Sequence, residues 1–144
     1  MAIAYYTENT KLPKQFQKRK LTQWIKEIAN SKNKKADNIT YLFCTDEKIL
    51  EINRNFLKHD YYTDIITFDY TEDNLLAGDI FISIDTVKSN AAKFNSDYIE
   101  ELYRVMIHGI LHLCGMKDRT EEEKKKITQA ENKALEILRK MIEF

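Results

Sequence analysis

The sequence predicts a single-domain α+β fold, a mixed sheet of about four strands surrounded by about five helices. Three observations predict it. The chain has 144 residues, 43% of them hydrophobic, which is one domain's worth of chain with enough apolar surface for a core. Short β-branched and aromatic runs (ITYLFC, DIITFDY, GDIFISI) sit early and in the middle, and stripes of helical period frame them. One Pro and three Gly leave no linker at which to divide the chain, so residues 1–144 are read as one unit.

The elements follow in order. Ile3 to Tyr6 is a short apolar patch that reads as an edge strand. Lys14 to Ser31 reads as a helix, because Phe16, Leu21, Trp24, Ile25 and Ile28 recur at its period. Ile39 to Cys44 is a strand, after which Thr45 or Asp46 can cap a helix carrying Ile49, Leu50, Ile52 and Phe56. Asp64 to Tyr70 and Gly78 to Ile84 are two more strands, and Asp85 is placed to cap a short helix that runs through Phe94. Ser96 or Asp97 starts the next helix, which passes through His108 and His112 and stops at Gly115. Thr120 with Glu123 forms a capping box for the last helix, whose stripe is Ile127, Ala130, Ala134, Leu135, Leu138 and Met141.

Composition narrows the function classes. No apolar run approaches the ~20 residues that a membrane span needs, so no membrane partner is expected. The first residues lack the basic and apolar regions of a signal peptide, and Cys44 and Cys114 are read as reduced thiols. A cytoplasmic address follows from these readings. The net charge is zero but unevenly spread. Lys11 to Lys35 holds nine basic residues against Glu27, whereas Ala36 to Glu101 holds fourteen acids and five bases. The Lys-rich helix is either a solvated face or a basic strip that attracts a polyanion.

The chemistry concentrates after residue 107. His108 and His112 are four apart, so their rings leave one helix face about one turn apart, the spacing a tetrahedral metal requires of two imidazoles. Gly115 can end the helix in a left-handed conformation, and the returning chain brings Asp118 to the same place. This is the His, His, Gly, ligand spacing of metzincin-type sites. Three protein ligands leave a fourth position open, as in catalytic zinc. A carboxylate in third place also suits other divalent ions, so the metal is expected to be zinc with alternatives open. A zincin protease has Glu directly after its first His, and here that residue is Gly109, which removes the usual general base. Gly109 is instead expected to let another backbone pack closely on the helix.

At these residues the sequence resembles the YbeY endoribonucleases. HGILHLCGMKD resembles their signature, NRNFLKHDYYTDIITF (Asn53 to Phe68) their second motif, and GDIFIS (Gly78 to Ser83) their third. The resemblance implies a zinc-dependent endonuclease for single-stranded RNA, acting in small-subunit rRNA 3′ end maturation and ribosome quality control, with no DNA substrate. His108, His112 and Asp118 are then both the catalytic and the metal-ligating residues. Thr63, Asp64, Asp79 and Ser83 are expected beside them, Asp79 either orienting a ligand histidine or capping a strand end.

The chain departs from the family pattern twice. Asp118 stands where the family usually has a third His, and Leu57 stands where it commonly has Arg. Lys58 or His59 could replace that Arg as a substrate contact. Arg104, one turn before His108, is expected to meet a phosphate or, preferably, to pair with Glu100 or Glu101. Cys114 is read as a structural thiol facing away from the metal. Two other classes stay open, a metal-dependent peptidase or amidohydrolase on the same ligands, and a ribosome-associated binding protein whose metal is structural.

Overall fold

A computed structural model describes residues 2–57 and 63–144. Among them the elements run β1 (Ile3–Thr7), α1 (Lys18–Ser31), β2 (Lys35–Cys44), α2 (Asp46–Ile52), β3 (Ile65–Asp69), β4 (Leu75–Ser83), α3 (Ile84–Lys93), α4 (Tyr98–Leu113) and α5 (Glu121–Arg139). The four strands form one mixed sheet in the order β1-β2-β4-β3. β1 pairs parallel with β2 and β2 with β4, while β3 returns antiparallel along β4 as an edge.

The alternation of side chains along each strand divides the core between the two faces of the sheet. Ile39, Tyr41 and Phe43 of β2 and Leu76, Ile80 and Ile82 of β4 face the larger core and are fully buried under α1, α4 and α5. The opposite face carries a smaller cluster, Cys44, Ile49, Ile52 and Ile66, with Leu42, Phe68 and Phe81 packed at its margin. Two buried hydrogen bonds fix the helices on the larger face. Trp24 Nε1 donates to the Ala134 carbonyl at 2.8 Å, tying α1 to α5, and the Tyr41 hydroxyl donates to the Met106 carbonyl at 2.9 Å, tying β2 to α4.

α4 is buried along most of its length because Leu102, Tyr103, Val105, Met106, Ile107, Ile110, Leu111 and Leu113 cover more than one face. It can approach the sheet closely at one point. A Cβ on Gly109 would lie 3.1 Å from Ile65 Cδ1 and 3.2 Å from Ile80 Cδ1. The close packing expected at Gly109 is therefore against two isoleucine side chains of β3 and β4, not against a backbone.

Several expected boundaries shift for identifiable reasons. α1 starts at Lys18 rather than Lys14, because Phe16 N–H bonds back to the Pro13 carbonyl in a turn. The Phe16 ring instead seals the β1–β2 aromatic cluster, edge-on to Tyr5 and Phe43. α2 gives way to a π-helical turn over Asn53–Leu57. The wider turn shifts the phase of the stripe, and Phe56 is 70% exposed and rests edge-on against Phe68. Ile84 opens α3 instead of closing β4, and its cap is Ser83, whose hydroxyl accepts from the Thr86 N–H; Asp85 accepts from the Asp46 N–H. Met141 lies beyond the end of α5. The capping box of Thr120 and Glu123 forms as expected.

Candidate metal centre

α4, the lead-in to β3, and the start of the chain segment before α5 converge on a cleft of about 450 Å³. One wall is the edge strand, with Thr63, Asp64, Ile65 and Thr67; the floor is α4, with Arg104, His108 and His112. Asp118 reaches it because α4 ends in a Schellman turn. Gly115 takes φ +99°, its N–H bonds to the His112 carbonyl and the Met116 N–H to the Leu111 carbonyl. The chain thereby reverses within three residues, and Asp118 Oδ2 lies 3.4 Å from His108 Nε2.

His108 is held from behind. Its Nδ1 lies 2.6 Å from Oε2 of Glu131, a carboxylate on α5 that is only 6% exposed. The carboxylate can only accept, so Nδ1 donates and Nε2 is left facing Asp118. The other oxygen of Glu131 accepts from Arg104 at 3.1 Å, and the second Arg104 nitrogen donates to Asn132 at 2.8 Å. Burial by itself pulls the His108 imidazole down, but the hydrogen bond to Glu131 and the charges of Glu131, Asp118 and Asp64 outweigh it and raise its pKa above 6.5. Burial raises the carboxyls of Asp64 and of Glu101, another residue of the cleft lining, against smaller opposing contributions from His108 and Arg104 respectively.

The residues present suit a divalent metal. Two imidazoles and a carboxylate face one cavity, the inner imidazole is oriented by a buried carboxylate, and two of the three donor groups, His112 and Asp118, are exposed and free to adjust. Two ligand atoms across a tetrahedral zinc at ordinary bond lengths stand roughly 3.3 Å apart, close to the 3.4 Å between His108 Nε2 and Asp118 Oδ2. Among the described residues no three His, Cys, Asp and Glu side chains stand close enough together to hold a metal ion as they are placed here.

A family profile described as Endoribonuclease YbeY matches residues 3–139. The chain belongs to the YbeY endoribonuclease family. It is 56% identical over 138 residues to a protein of Parabacteroides distasonis called Endoribonuclease YbeY, covering 96% of each chain. A Bacteroides fragilis relative of the same name is 57% identical over 135 residues, covering 94% of this chain and 96% of the relative. The solution structure of TM1509 from Thermotoga maritima superposes with a TM-score of 0.68 at 26% identity, covering 97% of this chain and 91% of that one. The fold and the family expected from the motifs are therefore both observed.

The site residues expected from the YbeY motifs fall into two groups. Thr63, Asp64, Arg104, His108, His112 and Asp118 line the cleft together. Asp79 and Ser83 do not. Asp79 lies on the opposite face of β4 from Ile80 and Ile82, and the carboxylate bonded to His108 is Glu131. Ser83 is fully buried, donating to Asp46 Oδ1 at 2.6 Å and capping α3. Arg104 does pair with a carboxylate, but with Glu131 across the α4–α5 interface; Glu100 pairs with Arg139. Lys58 and His59 lie outside the described residues. Leu57, at the end of the π-helical turn, is 39% exposed. Cys114 is half-buried and its thiol is pushed up by burial, as suits a structural residue.

Glu131 is the residue that motif reading missed. Its signal was legible on α5, where a carboxylate occupies the stripe between Ile127 and Leu135, at a position whose neighbours one turn away are both buried. A charged group there requires a partner inside the fold, and the two basic groups of α4 supply it.

Among the described residues no helix is long and apolar enough to cross a membrane.

Proposed function

We propose that this chain is a metal-dependent endoribonuclease that cuts single-stranded RNA, with His108, His112 and Asp118 holding one divalent ion, zinc by the chemistry of the donors. Its proposed setting is cytoplasmic, in small-subunit rRNA 3′ end maturation and ribosome quality control, in association with the ribosome and without a DNA substrate. The observation that carries the reading is the meeting of His108 and Asp118 at 3.4 Å in a cleft that His112 also lines, with Glu131 occupying the far nitrogen of His108.

The electrostatics of the cleft support a cation. Asp64, Glu101, Asp118 and Glu131 all line it, and Arg104, the guanidinium among them, is already bonded to Glu131 and Asn132. Such a surface repels a phosphodiester unless a positive charge is added between them. A bound divalent ion supplies that charge on a phosphoryl oxygen and activation of the attacking hydroxyl or water.

The remaining steps belong to the chain's own side chains. Glu131 fixes the His108 ring with Nε2 aimed into the cleft. The Thr63 and Thr67 hydroxyls offer donors along the β3 wall. Asp64 and Glu101, both raised by burial, are the two carboxyls of the same wall and floor.

The peptidase alternative gains nothing from the geometry. The position where a zincin carries its glutamate is a glycine packed tightly against Ile65 and Ile80, so the usual general base is absent.

Elemental analysis of the purified protein, set beside cleavage of a single-stranded RNA, tests the proposal. Near-stoichiometric zinc with metal-dependent cleavage is expected, both lost in His112→Ala combined with Asp118→Ala. Equal metal in both proteins, or no cleavage with any divalent ion, would overturn it.

A further inference from the structure

The acidic cleft leaves open how a polyanion is held while it is cut. Among the described residues, cations line two further depressions, one of which adjoins the cleft. A groove that shares His112 and Asp118 with the cleft runs over the turn after α4, where Lys117 and Arg119 line it together with Asp69. Beside that turn, Lys32 and Lys34 come close enough to the Cys114 thiol for their charges to act on it. Beyond them lies a third depression of about 660 Å³, between the C-terminal part of α1 and the start of β2. Lys26, Lys34 and Lys35 line it with the amides of Asn30, Asn33 and Asn74, and Glu27 is the one acid of that lining.

Lys26, Lys32, Lys35, Lys117 and Arg119 make no ion pair among the described residues. Lys34 makes only a 3.4 Å contact with the Asp73 carbonyl. Gathered like charges without internal partners raise the local potential and attract a polyanion. The side chains on offer, ammonium groups and carboxamides, are those that contact phosphate and sugar rather than base edges. No aromatic ring lines the third depression on which a base could stack, so binding there is through the backbone and tolerant of sequence.

We propose that the three depressions form one track for the sugar–phosphate backbone of single-stranded RNA, passing from the metal cleft over the α4–α5 turn to the α1–β2 turn. The identity of the ligand rests on the endoribonuclease reading. The track gives a use to the basic residues at the C-terminal end of the Lys-rich stretch, Lys26, Lys32, Lys34 and Lys35. It also assigns Lys32, Lys34 and Lys35 to substrate holding, remote from the chemistry.

The test uses the zinc-loaded full chain, wild type against a variant combining Lys32→Ala, Lys34→Ala and Lys35→Ala. Binding is read by fluorescence anisotropy with 2′-O-methyl oligouridine, one probe of about 25 nucleotides that can span the track and one of about 5 that fills only the cleft. At ~100 mM salt the variant is expected to bind the long probe roughly tenfold more weakly, with the slope of log K against log salt smaller by about 2. Binding of the short probe and cleavage of the matching short RNA stay at wild-type values. The corresponding triple Lys→Arg variant keeps the charge and restores long-probe binding. Unchanged long-probe affinity and slope in the alanine variant, or a loss that arginine does not rescue, would overturn the track. A wild-type protein that binds both probes but cuts neither RNA refutes the nuclease reading separately, since the binding comparison still decides the track.

Discussion

Glu131 Oε2 and His108 Nδ1 lie 2.6 Å apart across the α4–α5 interface. This contact joins the last helix to the cleft, since the imidazole it orients points its other nitrogen at Asp118. Outer carboxylates of this kind raise the basicity of a ligating histidine and hold its tautomer. Glu131→Gln keeps the shape and removes the charge, and zinc affinity measured against a competing chelator should fall roughly 10- to 100-fold. Wild-type affinity in this variant would mean that Glu131 serves only to pair Arg104.

Metal binding should stabilise the fold, because the ligand set exists only when α4 and the following turn are formed. With free zinc at about 100 times its Kd, linkage contributes about 2.7 kcal/mol. For a domain of this size that is a rise in Tm of roughly 5–10 °C. Chelation should lower the Tm of the wild type by that amount and leave His112→Ala/Asp118→Ala unmoved. A chelator effect of the same size in both proteins would place the metal elsewhere.

In the metal-free protein, pH acts through His108. Its folded pKa is raised above 6.5, so the folded state binds this proton more tightly than the unfolded chain. That stabilisation is complete below the unfolded value and is lost as pH rises through the folded one. Asp64, raised by burial, has the same sign at lower pH. Thermal melts in chelator should therefore show Tm falling from about pH 6.5 upward, with the fall reduced in His108→Gln. A wild-type Tm that is flat across this range, or identical to that of the variant, contradicts the raised imidazole. Zinc affinity should run the opposite way, tightening as pH rises, because the metal competes with the proton at Nε2.

Gly78 is a packing glycine. A Cβ there would lie 2.6 Å from the Phe68 carbonyl oxygen, a backbone atom of the edge strand that cannot swing aside. Gly78→Ala should cost about 2–4 kcal/mol by displacing β3 from β4, read as a lower midpoint in urea. Because β3 forms one wall of the cleft, RNA cleavage should fall more than stability alone explains. An alanine variant with an unchanged midpoint would show that the strand pair yields more easily than its register suggests.

Cys44 is fully buried, and burial, with smaller contributions from neighbouring charges, pushes its thiol up to about 12. The thiolate is the reactive form. Cys44 should resist a thiol reagent at about pH 8 until the protein is unfolded in denaturant. Fast labelling of both thiols in the native protein would mean that the smaller core opens readily.

Sequence alone determined the order of elements, the helix carrying both histidines, its termination at Gly115 and the return of Asp118, because each depends on local spacing and backbone preference. The four strands were legible from β-branched alternation, and the capping box of α5 from two residues three apart. Pairing order within the sheet was not legible, since it depends on which apolar faces bury together. Nor was the exposure of Phe56, which follows from a wider turn that changes the phase of α2. The partner of His108 shows the same limit. Glu131 lies 23 positions away on another helix, and only the packing of α5 on α4 brings its carboxylate to the imidazole. Asp79, nearer in the motif order, was placed on the other face by strand parity. Local patterns specify which groups an element presents. Tertiary packing decides which of them meet, because the contacts that orient the cleft histidine close loops much longer than any local pattern spans.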